Sequence, residues 1–219
     1  MNDGDQLMNA RTRFLCTCLL VSAVIGLVHA PRAVAGQTLS GQALVTALRE
    51  GGFVIVMRHA SSPEQPPDKE HVRPENVNGE RQLDDVGRST AAAMGRAFGD
   101  LGIPVGVVFS SPAFRARETA RLAQWTNVVP SPELGDNGQG MARVVPADQT
   151  AWLQQRVTLR PRGTNTILVT HLPNISRAFP ASSAGLTDGE ALIFSPDGKG
   201  GAAVVARVKI DEWPRLGSR

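Results

Sequence analysis

Two patterns of apolar and polar positions alternate along this chain. Phe53 to Met57, Val105 to Phe109 and Ile167 to Thr170 are short, largely apolar runs without polar alternation, as expected of strands covered on both faces. Between them, apolar residues recur at helical spacing. Ala43, Leu44, Ala47 and Leu48 share one helix face behind Ser40, a capping residue, and Gly51-Gly52 stops that helix. An Ala-rich helix is predicted from Asp84 or Asp85 to about Phe98, closed by Gly99 and Gly102. A third helix, capped by Ser111 with Pro112 in its first turn, continues through Ala123, and a fourth covers roughly residues 147 to 159. Val128-Val129 is a short strand, Pro130 to Met141 reads as irregular, and Pro173 opens a further helix. Ala191 to Phe194 and Ala202 to Val208 flank a Gly-rich turn and form a hairpin. Strands alternating with helices imply an α/β three-layer sandwich: a mostly parallel central sheet, helices on both faces and an antiparallel edge.

In such a sheet, ligands bind in the crevice at the carboxyl ends of the strands, so residues trailing separate strands converge there. The first apolar run ends in Arg58-His59, the second in Ser110-Ser111-Pro112 with Arg115 beyond, and the third in His171. Neutral imidazole is a competent nucleophile toward phosphorus, and a guanidinium grips phosphoryl oxygens through parallel hydrogen bonds. Alone, His59 would read as an ordinary loop residue. Arg115 changes that, because a cation in the opening turns of a helix opposes the macrodipole unless an anion sits there too. His171 can donate to an equatorial phosphoryl oxygen. Asn174 either adds a donor or satisfies helix-start amides. The Pro- and charge-rich stretch from Pro63 to Pro74 is a loop leaving this edge, and a candidate for substrate choice.

The formal net charge is +3, with no basic run interleaved with aromatics, so nucleic acid is not an expected partner, whereas a small anionic substrate is compatible. Arg11 and Arg13, an apolar core from Phe14 to Val28 and Ala33-Val34-Ala35 form a secretory signal, expected to be cleaved before Gly36. Residues 1–35 are thus a signal peptide and residues 36–219 one domain, with Met8 an alternative start. The core falls short of the roughly 20 residues of a spanning helix, so a periplasmic or secreted product without stable membrane insertion is expected. Cys16 and Cys18 both lie in this segment, leaving the remainder without a thiol for disulfide, nucleophile or metal. A metal site on His59 and His171 is disfavoured by the neighbouring arginines, which repel a cation.

Val56-Met57-Arg58-His59-Ala60, Ser110-Ser111-Pro112-Ala113-Phe114-Arg115-Ala116-Arg117-Glu118-Thr119-Ala120 and Val169-Thr170-His171-Leu172-Pro173-Asn174-Ile175 resemble, in this order, motifs of the histidine phosphatase superfamily, also called phosphoglycerate mutase-like. The likeness covers nearly all of the chain after residue 35, and Gly189-Glu190-Ala191-Leu192-Ile193-Phe194 and Pro196-Asp197-Gly198-Lys199-Gly200 look like the small exported bacterial members. The resemblance implies a phosphoglycerate mutase-like fold, His59 as the phosphorylated nucleophile, and Arg58, Arg115 and His171 as the rest of the phosphate pocket. It implies neither metal nor cofactor. Ala60 stands where the family commonly has glycine, and Leu172 where some members place an acid. Glu190 is the first choice of proton donor, with Glu133 and Asp136 as alternatives.

The expected function is a metal-independent phosphomonoesterase acting on a small phosphorylated substrate. An envelope sugar phosphate is one expectation, since the resemblance includes exported enzymes acting on lipopolysaccharide sugars. A phosphoprotein phosphatase, a mutase and a non-catalytic phosphate-binding protein are the competing readings.

Overall fold

The computed structural model describes residues 38–217 except 69, 71, 72, 74, 77, 78 and 139–141; the expected signal peptide lies outside the described residues. Helix α1 (Gly41–Glu50) leads into β1 (Val54–Arg58), followed by α2 (Asp85–Asp100), β2 (Val105–Ser110), α3 (Phe114–Leu122) and β3 (Val128–Pro130). Then come α4 (Pro146–Arg156), β4 (Asn165–Thr170), α5 (Leu172–Ala178), α6 (Pro180–Ser183), β5 (Ala191–Pro196) and β6 (Ala202–Val208). The sheet order is β3-β2-β4-β1-β5-β6. Strands β1 to β4 run parallel, and β5 and β6 close the sheet as an antiparallel edge. This is the α/β architecture the alternating pattern predicts.

Side chains alternate across each strand, so one strand feeds two cores. Val54, Val56, Leu168, Leu192 and Phe194 pack with Leu153 of α4, Val157 just beyond its end, and Ile175 and Ala178 of α5. Ile55, Met57, Ile167, Val169 and Ile193 pack on the other face with residues of α1, α2 and α3. Val54 to Met57 of β1 and all of β4 are buried on both faces, which is why Val54–Met57 and Ile167–Val169 read as unbroken apolar runs. Each fully buried Leu, Ile or Val contributes roughly 1.5–3 kcal/mol, and this two-sided burial fixes the strand ends.

Two local devices carry that rigidity into the loops. Asp84 caps α2 by accepting from Gly87 N at 2.6 Å, and its other oxygen accepts from Ser61 Oγ at 2.7 Å. A Cβ on Gly87 would lie 2.1 Å from the Ser61 carbonyl oxygen, so α2 presses on the chain just beyond His59 only because glycine stands there. The second device corrects an expectation. Helix α3 begins at Phe114, with Ala113 in the capping position rather than Ser111. Ser111 Oγ accepts from Ala113 N at 3.1 Å and faces His171, while the Glu80 carboxylate, arriving from the long loop, accepts from Phe114 N at 2.8 Å. A distant carboxylate thus offsets the helix-start charge problem that Arg115 creates.

Candidate active site

The ends of β1, β2 and β4 bring His59, Arg115 and His171 into direct contact. Arg115 Nε donates to His59 Nε2 at 3.0 Å, and Arg115 Nη2 lies 3.0 Å from His171 Nδ1. The two imidazole rings sit edge to face, 5.2 Å between centroids. Their tautomers follow from their partners. His59 Nδ1 is 2.7 Å from the Ala60 carbonyl oxygen, which only accepts, so Nδ1 carries the proton and Nε2 presents its lone pair to the guanidinium. A guanidinium only donates, so His171 Nδ1 is the acceptor and Nε2–H donates to Ser111 Oγ at 2.8 Å. The residue expected to cap a helix therefore orients the second histidine.

Both rings are held neutral. Burial first, then Arg115 and then Arg58 and Arg81, together push the His59 pKa down to about 3 against the opposing bond to Ala60. His171 is lowered in the same way, first by burial, then by Arg115 and His59. A neutral His59, its Nε2 lone pair turned toward the Arg115 guanidinium, is in the protonation state a nucleophile needs.

Arg58 enters from the neighbouring side. Its Nη2 lies 2.7 Å from Asp188 Oδ1, while its buried Nε has no hydrogen-bond partner among the described residues. Arg81 is the functional residue that sequence reasoning missed. Burial, Arg115 and Arg58 lower its pKa while Asp136 and Asp188 raise it, and it depresses both histidines, so its charge belongs to the same pocket. Its Nε is likewise buried without a partner among the described residues. Three guanidiniums, two of them with unused buried donors, fit an oxyanion. Among the described residues no group of three or more His, Cys, Asp or Glu side chains is placed to hold a metal, and no helix is long and apolar enough to cross a membrane.

The carboxylates divide differently from the sequence expectation. Glu190 is buried, but its Oε1 accepts from Arg207 Nε at 2.8 Å and its Oε2 from Thr187 N at 2.8 Å and Thr187 Oγ1 at 3.0 Å. Burial raises its pKa, but these bonds outweigh burial and the net shift is downward. Asp136 instead reaches the pocket, accepting from Arg115 Nη2 at 2.5 Å through Oδ2 and from Gly138 N at 2.9 Å through Oδ1. Burial raises its pKa, and His171 and Arg115 together overcome that effect. Glu133 sits partly buried on a short turn, Pro132–Leu134. Asn174 directs its amide to the Gly135 carbonyl at 2.8 Å and to Thr170 Oγ1 at 3.1 Å, tying the Asp136 segment to the end of β4. Gln149 donates to the same Gly135 carbonyl at 2.8 Å.

Known proteins share this arrangement of elements. The protein histidine phosphatase SixA complexed with tungstate superposes with a TM-score of 0.54 at 16% identity, covering 73% of this chain and 98% of that one. A putative phosphohistidine phosphatase SixA from Agrobacterium tumefaciens matches at 18% identity and a TM-score of 0.49, covering 72% of this chain and 97% of its own. A phosphoserine phosphatase mutant from Entamoeba histolytica, in complex with phosphoserine, matches at 13% identity and a TM-score of 0.48, covering 72% and 97%. No curated protein matches the chain. The sequence model of the histidine phosphatase superfamily (branch 1) spans residues 54–166, from the start of β1 to the start of β4. By that match, over more than half its length, the chain belongs to the histidine phosphatase superfamily.

Proposed function

We propose that this protein is a metal-independent phosphomonoesterase that works through a phosphohistidine on His59. The observation that carries the reading is the neutral His59, whose Nε2 lone pair meets Arg115 at 3.0 Å inside a cluster of three guanidiniums. An arriving phosphoryl oxygen replaces Nε2 as the acceptor for Arg115, freeing the lone pair for in-line attack. The N–P bond forms as the ester P–O bond breaks, and Arg58, Arg81 and Arg115 hold the equatorial oxygens. The dianion raises the pKa of His171 and of Asp136, so His171 can take up a proton and donate from Nδ1.

Asp136 is the proton donor of this reading in place of Glu190, because Asp136 bonds a pocket arginine whereas both oxygens of Glu190 are engaged by Thr187 and Arg207. Asp136 protonates the leaving alkoxide, then accepts a proton from the water that cleaves the N–P bond. The substrate is a small phosphate monoester, an envelope sugar phosphate for an exported enzyme, and the signal-like residues 1–35 are the support for export to the periplasm or beyond. A second reading, a phosphoprotein phosphatase acting on phosphotyrosine or phosphohistidine, is favoured by one feature: Asp136 and Glu190 are both held ionised in the free site, which suits these two side chains because their leaving groups need little protonation.

The test is hydrolysis of p-nitrophenyl phosphate by the chain from Gly36, with a chelator present, for wild type and His59→Ala. Activity that disappears in the variant supports the reading. A folded wild type that binds tungstate but turns over no aryl or alkyl phosphate would make this a phosphate-binding protein instead.

A further inference from the structure

Glu190 is nearly inaccessible to solvent, yet it makes no bond to the pocket histidines or arginines through its carboxylate. A buried carboxylate paired with an arginine adds little stability over apolar residues of similar volume, so its presence calls for another role. Its surroundings supply one. Arg207, on β6, donates from Nε to Glu190 and from Nη1 to the carbonyls of Ala184 at 2.8 Å and Ser182 at 3.4 Å. One guanidinium therefore grips both the start and the end of the segment that leads into β5 beside Arg58. Glu190 closes that segment into a turn through Thr187.

The turn in turn grips the nucleophile strand at three points. Gly189 N donates to the His59 carbonyl at 2.9 Å, Arg58 N donates to the Glu190 carbonyl at 3.2 Å, and Asp188 pairs with the Arg58 side chain at 2.7 Å. Gly189 adopts φ +68°, and a Cβ there would meet Ile210 Cδ1 at 2.6 Å, so the turn has little freedom to settle elsewhere. Because β5 is antiparallel to β1, the residues entering β5 lie beside those leaving β1.

We infer that Glu190 and Arg207 are a positioning pair that clamps the Thr187–Glu190 turn and, through it, sets Arg58 and the backbone of His59 for phosphoryl transfer. The inference rests on the phosphatase reading but assigns Glu190 a role distinct from proton donation. A donor touches the leaving group, so its loss is felt most by poor leaving groups. A positioning pair acts on the phosphoryl cradle, so its loss is felt equally by all monoesters.

The experiment compares wild type, Glu190→Gln, Arg207→Ala, Arg207→Lys and the double variant Glu190→Gln/Arg207→Ala, on p-nitrophenyl phosphate and on an alkyl phosphate, with tungstate inhibition measured alongside. Arg207→Ala is expected to lower kcat/KM about 10- to 100-fold, the scale of a small misplacement of reacting groups. KM and the tungstate inhibition constant should rise together, by the same factor for both substrates. Arg207→Lys, which restores a charge to Glu190, should recover part of the loss, and the double variant should be no worse than Arg207→Ala because the two residues act in one chain.

If Arg207→Ala does not fold, Glu190→Gln, which preserves shape, carries the test with a smaller rise. An alkyl-selective loss in Glu190→Gln would overturn the inference and return Glu190 to proton donation. Unchanged KM and tungstate inhibition in folded Arg207→Ala, with wild type active and His59→Ala inactive, would also overturn it. Should wild type itself show no turnover, the phosphatase reading fails separately, and tungstate affinity by calorimetry still decides the clamp.

Discussion

Arg115 and Arg58 both bear on His59 and are held in different ways. The Arg115 side chain is only 6% exposed and is shared among His59, His171 and Asp136. Arg58 is 23% exposed, pairs with Asp188 alone and keeps a buried Nε without a partner among the described residues. Arg115 organises the site before any ligand arrives, engaging both imidazoles and adding to the burial that keeps both rings neutral. Arg58 holds a donor in reserve for the ligand. Pre-arranged donors favour the transition state, whereas a donor that turns to the anion mainly adds binding.

The largest expected effect follows from the first half of that contrast. Arg115→Ala should lower kcat/KM on p-nitrophenyl phosphate by about 1,000-fold, mostly in kcat, since it removes an oxyanion donor and unsettles both histidines. Next, Asp136→Asn should cost about 100-fold on an alkyl phosphate and only a few-fold on p-nitrophenyl phosphate, whose leaving group needs little help. Equal losses on both would move Asp136 from proton donor to a mere partner of Arg115. Arg58→Ala should then cost about 10-fold, expressed as a rise in KM and in the tungstate inhibition constant. A kcat defect as large as that of Arg115→Ala would erase the distinction between the two arginines.

The smallest effect is on stability. Between about pH 6.5 and about 3, His59 takes up a proton in the unfolded chain but not in the folded one, so stability falls as pH falls through that window. The steepest slope is about 1.4 kcal/mol per pH unit for each such histidine, and His171 adds to it. Arg115 is a larger cause of the lowered His59 pKa than Arg58. Thermal midpoints between pH 7.5 and 5 should therefore flatten more in Arg115→Ala than in Arg58→Ala. An identical slope in the two variants would contradict that ranking.

The strands were legible because two-sided burial leaves no polar position in Val54–Met57 of β1 or Ile167–Val169 of β4, and residues following such runs must emerge at the sheet edge. His59, Arg115 and His171 could be placed together on that basis. Ser111 misled because a serine before proline reads as a helix cap, and only the fold reveals that His171 reaches it. Arg81 sits in a loop crowded with charges, where no periodicity separates a pocket residue from a solvated one. Asp188 and the true setting of Glu190 depend on β6, whose Arg207 arrives from a neighbouring strand with no sequence mark of its purpose. Local pattern reports burial; partnership across strands leaves no such trace.

The position of β1 has a consequence for how the molecule comes into being. This strand pairs with β4 and β5, which begin at Asn165 and Ala191, so it waits for more than a hundred residues of chain before either neighbour exists. Pairings of such long sequence separation slow folding. Meanwhile Phe53-Val54-Ile55-Val56-Met57, β-prone, uncharged and free of proline, is an aggregation-prone stretch in any nascent or truncated chain. A fragment ending before Ala191 keeps His59, the three pocket arginines and His171 in its sequence, yet exposes one edge of the strand that carries Arg58 and leads into His59.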